Sequence, residues 1–80
     1  MKKADLSQYP MDAEFWSDAI DRYVVGFRAE RNREVLKSAL IDGMTYEQLA
    51  EKYDLSVSQV KRIVCKTQKQ LFLQVVMWYN

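Results

Sequence analysis

The chain has 80 residues, 49% of them hydrophobic, with two Gly, one Pro, one Cys, no His and a net charge of +1. That composition suits one domain with a modest core and excludes a disordered or collagen-like chain. A single Cys closes no internal disulfide, and without His there is neither a zinc ligand set nor the usual base of a hydrolytic triad. No catalytic residue, metal or cofactor is therefore expected, and a reducing cytoplasm is the expected location.

Taken in order, residues 1–10 read as a frayed start ended by Pro10, which favours the first turn of a helix. Lys2 and Lys3 lead into Asp5, Ser7 and Gln8 rather than an apolar run, so no targeting signal is read there. From about Asp12 to Glu30, Phe15, Trp16, Ala19, Ile20, Tyr23, Val24 and Phe27 recur at helical spacing. Asp12, Glu14 and Asp18 suit the positive end of that helix. A second helix is predicted from Asn32, as its cap, to Asp42. Its inward stripe is Val35, Leu36, Ala39 and Leu40, and Gly43 is its stop. Gly26 and the cluster Arg28–Arg33 either mark a bend between these helices or lie inside one long helix, and both readings stay open.

Residues 46–53 and 57–65 then read as two short helices around a tight turn. Thr45 with Gln48, and Ser56 with Gln59, make two capping boxes eleven residues apart. Leu49 and Tyr53 form the inward stripe of the first helix, and Val60, Ile63 and Val64 that of the second. Leu55 plugs the angle, and small Ala50 allows close approach. Such an angled pair is the helix-turn-helix unit; an ordinary helical hairpin is the plainer alternative. No Gly or Pro interrupts residues 57–80. One helix there would be about 35 Å long, with an end, Leu71–Tyr79, that is apolar nearly all round yet too short to span a membrane.

Arg31–Phe72 resembles the fourth region of bacterial sigma factors and the small phage and mobile-element regulators that share it. The matching residues are Arg31, Arg33, Glu34, Val35 and Leu36, then Gly43-Met44-Thr45-Tyr46-Glu47, Leu49-Ala50, Leu55-Ser56-Val57 and Val60-Lys61-Arg62. Asp54 departs from the Gly common at the turn, at a modest cost because Asp tolerates a left-handed backbone. Nothing in the chain resembles the second sigma region, so a complete sigma factor is not expected. The resemblance implies a DNA-binding domain and a possible contact with RNA polymerase.

Charge supports that expectation. Residues 1–30 carry four bases and six acids, whereas from Leu55 onward there are four bases (Lys61, Arg62, Lys66, Lys69) and no acid. A one-sided basic helix is the footprint expected for phosphate contact. With Val60 facing inward, about 100° per residue puts Ser58, Arg62, Cys65 and Lys69 on the opposite face. The base-reading candidates are Val57, Ser58, Gln59 and Arg62, since Gln matches adenine and Arg guanine edges. Gln59 has a competing use in its cap. The backbone-contact candidates are Arg33, Thr45, Tyr46, Lys61, Lys66 and Lys69. The apolar C-terminal helix asks for cover on more than one side. A homodimer is therefore expected through Phe15, Trp16, Tyr23, Phe27, Leu71, Val75 and Trp78, with a closed intramolecular four-helix core as the alternative.

The sequence thus predicts an all-α, four-helix domain over residues 1–80. Residues 45–66 form the helix-turn-helix and 67–80 a C-terminal extension for dimerisation. The expected function is sequence-specific binding of double-stranded DNA in transcription regulation, with no membrane partner. The alternatives are a protein-interaction module that docks on polymerase or another regulator, and an accessory DNA-binding protein of a mobile element.

Overall fold

The computed structural model describes residues 3–79, with side chains as far as Val75. Four helices follow a short 3-10 turn at Leu6–Gln8: α1 over Ala13–Tyr23, α2 over Ala29–Leu40, α3 over Tyr46–Tyr53 and α4 over Val57–Tyr79. There is no strand among the described residues. Three of the four starts are fixed by local chemistry. The Asp12 carboxylate accepts from the Phe15 N–H at 2.9 Å. Thr45 and Gln48 exchange bonds of 3.1 and 2.9 Å, and Ser56 and Gln59 repeat the pair at 3.1 and 2.9 Å. Both predicted capping boxes are present, each satisfying orphan amides at a helix start.

α2 starts differently. The sequence points to Asn32 as its cap, but the helix begins three residues earlier and buries Asn32 one turn inside. Arg28 holds the cap position on a left-handed backbone (φ 57°) and makes no capping bond. Gly26, two residues before, sits at φ 103°, where an L side chain is strained. These two conformations decide the open question over residues 12–42: there are two helices, and the first ends at Tyr23 rather than Glu30. Val24 turns into the core at 1% exposure while Phe27 is 84% exposed.

The core takes Trp16 and Ile20 from α1, Val35, Leu36 and Ala39 from α2, and Leu49 from α3. α4 supplies Val60, Val64, Leu71 and Val75. For α2, α3 and the first turns of α4 these residues belong to the stripes that the helical spacing predicts; for Leu71 and Val75 the expectation is a dimer interface instead. Buried Thr67 returns its hydroxyl to the Ile63 carbonyl at 2.6 Å, which lets a polar residue sit at the interface. Ser38, also buried, lies 2.8 Å from the Tyr53 hydroxyl and accepts from Lys52 at 3.3 Å. Tyr53 donates its one proton to the Glu34 carbonyl at 3.1 Å. Ser38 must therefore be the donor to Tyr53, and the chain of bonds ties α3 to α2. Asp54 carries the α3–α4 turn at φ 54°, as expected of a residue that tolerates this backbone.

Two sequence expectations need correction. Residues 1 and 2 lie outside the described residues, but from residue 3 the start is not frayed: the Ala4 N–H donates to the side-chain carbonyl of buried Gln68 at 2.8 Å, and Lys3 Nζ donates to the Met44 carbonyl at 2.9 Å. Tyr9 lies edge-on to Trp16 at 5.5 Å and against Phe72 at 5.6 Å. Residues 3–9 are thus a strap across α1 and α4. The second correction concerns the expected dimer residues. Trp16, Leu71 and Val75 are buried within one chain, because the strap and α1 cover the apolar faces assigned to a partner. Phe15 and Tyr23 stay half-buried beside a groove they share with Ala19 and Val75. Phe27 projects elsewhere, and the Trp78 side chain lies outside the described residues. Among the described residues, no helix is long and apolar enough to cross a membrane.

Candidate nucleic-acid interface

The first three turns of α4 are a ridge with its apolar side down. Val60 and Val64 are buried, while Ser58, Gln59, Lys61, Arg62, Lys66 and Lys69 are exposed and Val57 is half-buried at the tip. No α4 base lies within ion-pair distance of a carboxylate among the described residues; the ion pair present there is Lys37–Asp21, at 2.8 Å. The positive charge of the ridge is therefore not neutralised by a carboxylate among the described residues. No cluster of three or more possible metal ligands occurs among the described residues.

Two shallow grooves flank the ridge, and Arg62 lines both. On the α3 side, Thr45 and Tyr46 meet Lys61, with Lys3 arriving from the strap and one acid, Glu47. Lys61 Nζ lies 5.8 Å from the centre of the Tyr46 ring, a cation–π distance. The expected backbone-contact residues Thr45, Tyr46 and Lys61 are thus brought together. Half-buried Cys65 lines the same groove. On the α2 side, Arg28, Arg31, Arg62 and Lys66 converge with Phe27 and Gln59, and no carboxylate lines the groove.

Gln59 serves its cap. Its side-chain carbonyl accepts from the Ser56 N–H at 2.9 Å, which leaves only the amide N–H donors free. Ser58 and Arg62 remain the unencumbered base-reading candidates. Arg33 is placed differently from the other backbone-contact candidates. Its Nε–H donates at 2.7 Å to the Val24 carbonyl, closing the end of α1, and it lines neither groove. Arg31 takes the place expected of it. Four residues before Val35, it shares the inward stripe of α2, and it is braced by bonds of 3.3 and 3.2 Å to the Asn32 carbonyl oxygen. That i, i+4 relation was the available signal in the sequence. Lys69 stands exposed farther along the ridge, outside both grooves.

A model of the sigma-70 region 4 family matches residues 29–72, more than half of the chain. The chain belongs to the sigma-70 region 4 family. Region 4 is a helix-turn-helix DNA-binding region rather than a catalytic one, and the matched stretch covers α2, α3 and α4 as far as Phe72. The match begins at the first residue of α2. The strap, α1 and the Phe27–Arg28 turn are therefore what this region 4 domain carries beyond the matched stretch. No curated protein and no solved structure matches the chain.

Proposed function

We propose that this region 4 domain is a transcriptional regulator that reads a specific sequence in double-stranded DNA with the N-terminal half of α4 in the major groove. The observation that carries the reading is the ridge: four bases without carboxylate partners among the described residues, above a fully packed apolar underside. Arg62 and Ser58 read base edges at its centre, Val57 meets a thymine methyl at the tip, and Gln59 contributes its amide N–H donors. Lys61, Lys66 and Lys69 hold phosphates, joined by Thr45 and Tyr46 from the start of α3. The protein works in the cytoplasm.

A second copy pairs through the groove at Phe15 and Tyr23, so the preferred site is two-fold symmetric with half-sites one or more helical turns apart. Contact with RNA polymerase belongs to the same proposal, by analogy with the family. The test is binding to mixed genomic duplex fragments at two salt concentrations, followed by sequencing of the recovered fragments. Salt-sensitive binding with one enriched motif supports the reading. Absence of binding even at low salt refutes it and leaves a protein-docking module as the remaining role for the ridge.

A further inference from the structure

The turn between α1 and α2 spends strain to hold an aromatic ring in water. Phe27 is 84% exposed and its neighbour Val25 58%, although Val24 beside them is buried. Gly26 at φ 103° and Arg28 at φ 57° fix the ring in that position, and the second conformation disfavours any residue with a side chain. Arg28 has no capping role that would explain it. Its guanidinium carbon lies 5.3 Å from the centre of the Phe27 ring. Stacking of this kind orients a guanidinium while leaving its N–H edges free for oxygen acceptors. Backbone strain of this type persists where surrounding structure enforces it, often at ligand-contacting positions.

The surroundings say which ligand. Phe27 and Arg28 line one groove with Arg31, Arg62 and Lys66, and no acidic residue lines it. Arg62 and Lys66 belong to the ridge, so the turn and α4 form one continuous positive surface. We propose that the Phe27–Arg28 turn is a second DNA contact, in which Arg28 binds a phosphate of the backbone beside α4 and the Phe27 ring packs on the adjoining sugar. The contact lies outside the stretch matched to the family, and it rests on the DNA-binding reading above. It extends the footprint of the helix-turn-helix toward its α2 side.

The test uses the full chain and a labelled duplex recovered by the selection experiment, titrated over a range of salt. Arg28→Gly keeps a residue suited to the left-handed turn and removes the whole side chain, the guanidinium with its stem. Phe27→Ser removes an exposed ring. Arg28→Gly is expected to weaken binding several-fold and to reduce the salt slope by about one, the share of one phosphate contact. Phe27→Ser is expected to weaken binding several-fold with the slope unchanged. Wild-type affinity and slope in both variants, with binding still weakened in Arg62→Ala, would overturn the contact and leave the α4 reading intact; Phe27 would then face a protein partner. Salt-insensitive binding by the wild type would overturn both.

Discussion

Asp54 shows how a single residue carries the angle between the two recognition helices. It sits at φ 54°, ψ 51° just after α3, where Gly is the usual occupant, and the Leu55 N–H beyond it donates to the Ala50 carbonyl at 2.9 Å. A non-glycine residue there costs about 1 kcal/mol in backbone strain. Asp54→Gly should therefore raise stability by up to ~1 kcal/mol in urea unfolding, and a loss of stability would mean the Asp side chain has a role of its own. Gln59 makes a different point. Reading adenine with two bonds needs both ends of the amide, and one end is committed to Ser56. The capping box was legible in the sequence, and so was the conflict it creates. The Arg28–Arg33 cluster was not resolved at this scale. Arg33 closes α1 while Arg28 and Arg31 reach the α4 groove, and the difference depends on where α2 begins.

Among the elements, α3 and the start of α4 were legible because their boundaries are set by residues within one turn of each end. The end of α1 was not, since two left-handed backbone conformations decide it and the apolar spacing runs on past them. The strap was invisible for another reason: its anchor, Ala4 on Gln68, joins residues 64 apart in sequence. The strap shares in the burial of Trp16, whose ring meets Tyr9 of the strap at 5.5 Å, Phe15 of α1 at 5.3 Å and Phe72 of α4 at 5.4 Å. Deleting a buried aromatic side chain costs roughly 3–5 kcal/mol. Tyr9 is half-buried, so Tyr9→Ala should cost about 2 kcal/mol. An unchanged urea midpoint in that variant would show that the strap is dispensable to the core.

At the scale of the molecule, the apolar C-terminal helix suggested that one chain could not close its own core. Among the described residues, Trp16, Leu71 and Val75 are all buried within one chain, while Leu73 is 63% exposed. The homodimer proposed here uses the groove at Phe15 and Tyr23. Sedimentation at micromolar concentration should give the mass of two chains, reduced to one by Tyr23→Glu. A single-chain mass for the wild type would remove the dimer and predict a DNA site without two-fold symmetry. The charge distribution carries the larger argument. The chain is nearly neutral as a whole, yet Lys3, Lys61 and Arg62 line one groove beside the α4 ridge and Arg28, Arg31, Arg62 and Lys66 the other.

Arg62 is therefore the residue on which the account stands. The most direct test compares wild type and Arg62→Ala for binding to the duplex recovered by selection and to an unrelated duplex, at low and moderate salt. The account predicts that the substitution costs about 1–3 kcal/mol on the selected duplex and much less on the unrelated one. Equal affinities of both proteins for the selected duplex would contradict the assignment of the α4 ridge as the DNA-reading surface.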